Sequence, residues 1–330
     1  MKEKKIILIP DRLTVPDVEK KVFGDDYEII TTSVLNADDV DDILWNSAHA
    51  VLAWHDLTYN AELIEKLISC KVIVRVGVGY DNVDLEAAKK KNIVVCNVPD
   101  YGTNDVADHA FALLLTLVRG TEVYNRQLKR NMIWEWTTAG ELHRITNLTF
   151  GIIGLGRIGT ATALRAKSFG MNVVFYDPYV PDGKDKALQV TRVNLLNELL
   201  EKADIISIHT PLTDETRSMV NKDFFDNVKK NLILINTARG KIIDLDALNN
   251  ALQDNVVKAA GLDVLPQEPP DINHPLIQAW QAEEDWLSGR LLITPHSAFY
   301  NRESYIEMRQ KAAEEALRVL NHENPKNKLV

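Results

Sequence analysis

Arg239, Glu268 and His296 each stand just beyond a short aliphatic run. Their settings are Asn236-Thr237-Ala238-Arg239-Gly240, Asp263-Val264-Leu265-Pro266-Gln267-Glu268-Pro269 and Thr294-Pro295-His296. The three chemistries are complementary. A guanidinium presents a planar fork to a carboxylate and polarises a neighbouring carbonyl. An imidazole exchanges a proton near neutral pH, and a carboxylate bonded to it orients the ring and favours imidazolium. Taken singly, each residue also has a purely structural reading: a satisfied histidine, a surface salt bridge, a loop charge. Their common position after successive strands is what joins them, because ligands of open parallel sheets bind outside the carboxyl ends of the strands.

A second pattern says what such a set would act with. Gly154-Leu155-Gly156-Arg157-Ile158-Gly159 follows the apolar run 150–153 and opens a helical pattern over 160–168. Glycines at this spacing permit a tight turn, let the backbone approach a pyrophosphate and allow close helix–strand packing, while the helix N-terminus offers unpaired N–H groups to the phosphates. The strand that follows ends in Asp177, roughly 20 residues past the last glycine, where a carboxylate bonds the adenosine ribose hydroxyls and repels a 2′-phosphate. NAD is therefore expected rather than NADP. With a nicotinamide as hydride source, His296 would supply the proton in carbonyl reduction. The earlier Gly77-Val78-Gly79, followed by Asp81 and Asn82, lacks the third glycine and reads as either an anion cradle or a plain turn.

The elements that must position these residues alternate along the chain. Buried strands are expected over 5–9, 50–53, 72–76 and 93–96, with helix spacing over 38–43, 61–67 and 85–91 between them. The alternation resumes over 148–153, 172–176, 204–209, 231–236, 258–262 and 291–293. Near-continuous apolar strands interleaved with helices argue parallel sheets covered on both faces. A long apolar helical pattern over 104–129, with Asn104 and Asp105 suited to its start, joins the two series. An irregular stretch over 130–145 follows it. A last helix over 303–320 is expected to pack back on the first series, leaving 321–330 frayed.

Composition narrows the class. The 330 residues carry 38 Lys plus Arg against 47 Asp plus Glu, a formal charge of −9, with no basic cluster to meet a nucleic-acid backbone. Cys70 and Cys96 make neither a disulfide framework nor a metal spacing, so no metal is expected. No apolar run approaches the ~20 residues of a membrane span, and the apolar run 6–9 before Pro10 is too short for the core of a secretory signal. A cytoplasmic enzyme is expected.

At these residues the sequence resembles the D-isomer-specific 2-hydroxyacid dehydrogenase family. The resemblance runs from Val74-Arg75-Val76-Gly77-Val78-Gly79-Tyr80-Asp81-Asn82 through 150–159, Asn236-Thr237-Ala238-Arg239-Gly240 and Gly261-Leu262-Asp263-Val264 to Thr294-Pro295-His296. Within the family, Phe175-Tyr176-Asp177-Pro178-Tyr179 and His296-Ser297-Ala298-Phe299-Tyr300 are similar to the C-terminal-binding-protein-like branch. The resemblance implies an α/β fold of two Rossmann-like parallel-sheet domains. An NAD domain over 104–298 would be inserted into a substrate domain over 1–103 and 299–330, with two interdomain helices.

It implies Arg239, Glu268 and His296 as the catalytic set. It places Val78, Thr103, Gly154, Gly156, Arg157, Ile158, Gly159, Asp177, Thr210, Pro211, Thr216, Thr237, Ala238, Arg239, Asp263 and His296 at cofactor positions, Asp263 on the nicotinamide amide. Gly77 and Val78 match its substrate-carboxylate loop. Trp54 and His55, just after a strand of the first series, are expected to face a substrate, with Arg75 and Phe299 as further substrate contacts. The implied activity is interconversion of a small 2-oxo acid, such as hydroxypyruvate, glyoxylate or 3-phosphohydroxypyruvate, with its D-2-hydroxy acid, in a homodimer built through the NAD domain. An NAD-sensing co-repressor is the alternative. The segment 276–290, with Trp280 and Trp286, is longer than a minimal connection, and reads as a surface helix or as part of a dimer interface or cleft rim.

Overall fold

The computed structural model describes residues 4–330. The chain divides into two compact units, one comprising the residues up to Gly102 together with Tyr300–Val330, the other Thr103–Phe299. Each is an α/β unit built on a parallel sheet.

The first unit has five strands: β1 (Lys5–Ile9), β2 (Tyr27–Thr31), β3 (Ala48–Ala53), β4 (Val72–Arg75) and β5 (Val94–Asn97), in the order β2-β1-β3-β4-β5. Every residue of β4 is buried, as expected of a strand covered on both faces. Trp45, Tyr59, Ile64, Ile73 and Val95 fill one of its cores. The helix Arg302–Leu320 opens with Asn301 and Ser304 capping one another and returns to the start of the chain. There Arg309 pairs with Glu19 at 2.6 Å and with Asp17 at 2.8 Å. Arg309 and Glu19 are both buried, so removing one partner would cost about 3–5 kcal/mol.

The second unit has seven strands: β6 (Thr149–Ile153), β7 (Asn172–Tyr176), β8 (Thr191–Val193), β9 (Ile205–Ile208), β10 (Leu232–Asn236), β11 (Val257–Leu262) and β12 (Leu291–Ile293). All neighbours are parallel, in the order β12-β11-β10-β9-β6-β7-β8. Strand alternation divides β10 between two cores: Leu232 and Leu234 join Leu199, Ile206 and Leu248, whereas Ile233 and Ile235 join Phe111, Leu114 and Phe150. The strand order reverses direction between β6 and β9, which opens a crevice at their carboxyl ends.

Several expectations are corrected. The helix over 104–129 is two helices, Thr103–Arg119 and Thr121–Asn131, because Gly120 takes a left-handed φ of 61° between them. The pattern over 38–43 resolves into a 3-10 turn, Ala37–Asp39, and a helix, Asp42–Ser47, capped by Asp41. β2, β8 and the helix Asp17–Phe23 were not foreseen. The tail over 321–330 is tied down instead of frayed. Leu329 N donates to Val95 O at 2.7 Å, and the buried Glu315 accepts from Lys326 N at 2.9 Å. β5 is an edge strand, and the tail takes up its otherwise unpaired groups.

The segment 276–290 holds the helix Pro275–Gln281 and a 3-10 turn, Asp285–Leu287. Arg290 organises its end, donating to the carbonyls of Leu252, Val257, Lys258 and Trp286 at 2.7–2.9 Å. Among the described residues no helix is long and apolar enough to cross a membrane, and no group of three His, Cys, Asp or Glu could hold a metal ion.

Candidate active site

Strands β10, β11 and β12 end level with one another. Asn236 is in register with Leu262, and Leu262 with Ile293. The ladder continues one step further: Asp263 N donates to Asn236 O and Thr294 N to Leu262 O, both at 2.9 Å. The loops carrying Arg239, Glu268 and His296 therefore leave the sheet side by side.

Local chemistry shapes each loop. Asn236 is fully buried; its side chain accepts from Ala238 N at 3.0 Å and donates to Arg239 O at 2.9 Å, which builds the turn presenting Arg239. Arg239 itself donates from Nη1 to Ala238 O at 2.8 Å. Gly240 lies so close to the next loop that an added Cβ would sit 1.9 Å from the carbonyl carbon of Leu265. Only a glycine lets the Arg239 turn pack against the loop that carries Glu268.

His296 and Glu268 meet directly, Nδ1 to Oε2, at 2.6 Å. The other oxygen of Glu268 accepts from Leu265 N at 3.0 Å, which fixes the carboxylate. A carboxylate only accepts, so Nδ1–H donates to Glu268. Side-chain exposures of 24% and 34% keep the pair accessible. His296 holds a left-handed backbone with φ 51°, a conformation that a non-glycine residue keeps only when its surroundings impose it.

Asp263 supplies part of that imposition. It is 1% exposed, and its carboxylate accepts from Thr294 Oγ1 at 2.6 Å and from Ser297 N and Ala298 N at 2.9 Å. The carboxylate expected at the nicotinamide is thus also bonded to the His296 loop. Charge-assisted bonds of this kind contribute roughly 1.5–3 kcal/mol each. His109, which the sequence reading passed over, bonds Thr294 Oγ1 through Nε2 at 2.9 Å. The one available signal was a histidine set within the apolar pattern of that helix.

The residues of the glycine loop fit a dinucleotide. Gly159 packs so tightly that an added Cβ would lie 2.0 Å from Gly154 O, whereas one on Gly156 would meet nothing within 4 Å. Backbone is thus locked beneath the loop and open above it, where the helix Arg157–Ser168 begins with Arg157 and Ile158. Asp177 accepts from Leu155 N at 2.7 Å and Tyr179 N at 2.9 Å, at the strand end where a ribose would lie. Thr210 Oγ1, Thr237 Oγ1 and His209 Nδ1 are buried without a hydrogen-bond partner, groups that a bound ligand would satisfy. Burial lowers the pKa of His209 to about 3, so the ring is neutral at physiological pH. Thr216 is spent locally, donating to Pro211 O at 2.7 Å.

In the first unit Arg75 is buried, and its Nη1 donates to Val76 O at 2.5 Å. An added Cβ on Gly77, whose φ is 140°, would fall 1.8 Å from that Nη1. The guanidinium thus lies directly beneath the Gly77-Val78-Gly79 turn and makes it electropositive. Asn97 holds the turn through Val78 O at 2.7 Å.

Trp54, expected to face a substrate, is 2% exposed and packs on Tyr305 at 5.8 Å between ring centroids. It is a core side chain. The buried Asp11, also missed, accepts from the N–H groups of Trp54, Asp56 and Leu57; burial pushes its carboxyl pKa up, against the pull of those donors. Arg12 Nη2 lies 3.0 Å from His55 Nε2 and 2.6 Å from Asp56. Phe299 is half-buried and ends the second unit, which Thr103 begins.

Comparison with known proteins agrees with this geometry. Residues 111–298 match the family described as D-isomer specific 2-hydroxyacid dehydrogenase, NAD binding domain. The D-3-phosphoglycerate dehydrogenase of Bacillus subtilis (strain 168) is 35% identical over 316 residues, 94% of this chain and 56% of the relative. That of Methanocaldococcus jannaschii is 38% identical over 270 residues, 81% of this chain and 48% of the relative. The chain thus spans about half the length of these curated relatives. A crystal structure of D-lactate dehydrogenase from Aquifex aeolicus, complexed with NAD and lactic acid, is 30% identical with a TM-score of 0.85, covering 98% of this chain and 99% of that one. With its level strand ends, glycine loop and His–Glu pair, the chain belongs to the D-isomer-specific 2-hydroxyacid dehydrogenase family, and residues 111–298 are its NAD-binding domain.

Proposed function

We propose that this chain is an NAD-dependent oxidoreductase interconverting a small 2-oxo acid and its D-2-hydroxy acid. The observation that carries the reading is the 2.6 Å bond from His296 Nδ1 to Glu268, set on loops that leave adjacent strands of the dinucleotide-binding sheet. When bound, the reduced nicotinamide supplies hydride to the substrate carbonyl carbon.

The side chains do the rest. His296 delivers the proton from Nε2 to the developing alkoxide and takes it back in the reverse direction. Glu268 holds the ring in the matching tautomer and stabilises the imidazolium. Arg239 polarises the carbonyl. The N–H of Val78, over the buried Arg75 guanidinium, forms the carboxylate cradle, in a turn closed by the Gly77 N–H on Arg75 O at 2.9 Å. Asp177 selects NAD by repelling a 2′-phosphate.

Hydroxypyruvate, glyoxylate, pyruvate and 3-phosphohydroxypyruvate are the substrates to compare, the last two because of what the phosphoglycerate and lactate dehydrogenase relatives are named for. Measuring NADH oxidation across this panel tests the reading. Turnover on at least one acid, with NADH favoured over NADPH, supports it; no turnover on any of them opposes it.

We further infer a homodimer built through the second unit. Met132, Trp134 and Trp136 are 81%, 89% and 81% exposed within a few residues of one another, an apolar patch that a soluble monomer rarely presents. Light scattering should give twice the 37.2 kDa chain mass, and Trp134→Glu with Trp136→Glu should return it to one.

A further inference from the structure

We propose that Asp263, Thr294 and His109 are positioning residues that hold His296 in place from beneath its loop. The proposal rests on the reading of His296 as proton donor. It differs from a cofactor role for Asp263 in what it predicts.

Three successive N–H groups end on one residue: His296 N donates to Asp263 O at 2.8 Å, Ser297 N to Oδ1 at 2.9 Å and Ala298 N to Oδ2 at 2.9 Å. The N–H groups of Ser297 and Ala298 converge on the carboxylate, which fixes the segment that bears them. The residue just before, His296, whose φ of 51° needs such support, is held to the backbone carbonyls of Asp263 and Thr294.

The carboxylate is fixed in turn. Thr294 Oγ1 gives its proton to Asp263 Oδ1 at 2.6 Å, so toward His109 the hydroxyl is an acceptor. His109 Nε2, 2.9 Å away, is then the donor, which sets its tautomer. The same Nε2 lies 3.5 Å from Asp263 Oδ1, so its N–H also faces the carboxylate charge. His109 comes from the helix Thr103–Arg119, far away in sequence, so the clamp ties the catalytic loop to a rigid element of the same unit. Glu268 orients the ring of His296; this second network orients its backbone.

The test uses the full chain with NADH and the best acid of the panel. The variants are His109→Leu, His109→Gln, Thr294→Val, Asp263→Asn and, as control, His296→Ala. Misplacing a catalytic group by about 1 Å costs on the order of a hundredfold. Accordingly kcat should fall roughly 10- to 100-fold in His109→Leu, Thr294→Val and Asp263→Asn, with NADH affinity by fluorescence titration within about twofold of the parent.

Glutamine places a donor where Nε2 stands, so His109→Gln should recover most of the loss in His109→Leu, a recovery that a merely space-filling histidine would not give. His109 is accessible enough (24% side-chain exposure) for both variants to be read even if Asp263→Asn does not fold. Equal activity of His109→Leu and the parent overturns the clamp. So does an Asp263→Asn variant that weakens NADH binding tenfold at unchanged kcat, which would return Asp263 to the cofactor. Undiminished turnover by His296→Ala removes the proton-donor reading and the clamp with it, whereas an inactive His296→Ala beside a fully active His109→Leu overturns the clamp alone.

Discussion

Two glycine turns follow buried parallel strands in this molecule, and they are built differently. Gly154-Leu155-Gly156-Arg157-Ile158-Gly159 runs straight into the twelve-residue helix Arg157–Ser168, so its electropositive character comes from a helix N-terminus. Gly77-Val78-Gly79 runs instead into Asp81 and Asn82, and the next helix, Leu85–Lys90, begins later and is only six residues long. Its positive charge comes from a side chain, Arg75, lying where a Cβ of Gly77 would be. A helix end with bare backbone above it suits an extended pyrophosphate. A compact turn over one guanidinium suits a single carboxylate. The lesson is that glycine spacing alone does not name the ligand; what lies under and after the glycines does.

The comparison breaks most readily at Gly156. A side chain there meets nothing within 4 Å in the protein, and its φ of −70° is open to any residue. Gly156→Val should therefore leave the melting temperature unchanged while weakening NADH binding by about a hundredfold, ~2.7 kcal/mol. A parallel loss of stability would mean the residue serves the fold instead. Gly77→Ala is the counterpart. It should raise KM for the 2-oxo acid by about tenfold, ~1.4 kcal/mol, through displacement of Arg75, with NADH titration unaltered. Weakened NADH binding in that variant would merge the two turns into one function.

Asp177→Ala sharpens the first turn. Removing the carboxylate should narrow the preference for NADH over NADPH by about tenfold, measured as kcat/KM for each, because a 2′-phosphate no longer meets like charge. The smallest effect expected is none at all. Burial pushes the thiols of Cys70 and Cys96 in the first unit up to about 12, so thiolate is scarce at pH 8. A thiol reagent should label neither until denaturant is added, and labelling of the native chain would show that the first unit opens.

The glycine loop and the three strand-end residues were legible in the sequence because each depends on local pattern. A strand is apolar, a helix start is punctuated, and polar residues just past strands are conspicuous. What was not legible depends on pairing over distance or on side-chain direction. β2 and β8 are edge strands with short or mixed patterns, and only their neighbours identify them. The tail over 321–330 reads as polar and loose because nothing in it announces β5 as a partner. Gly120 broke a pattern whose apolar spacing continued across it. Trp54 was placed by position along the chain, but its side chain points into a core.

A histidine that moves the proton in reduction of a 2-oxo acid is needed for turnover and not for cofactor binding. NADH oxidation by the parent chain and by His296→Ala on the best acid of the panel, with NADH binding titrated in the same preparations, tests it most directly. The account predicts a fall in kcat of about 10²–10⁴-fold with NADH affinity unchanged within about twofold. Retained turnover in the variant, or a loss explained entirely by weaker NADH binding, would contradict it.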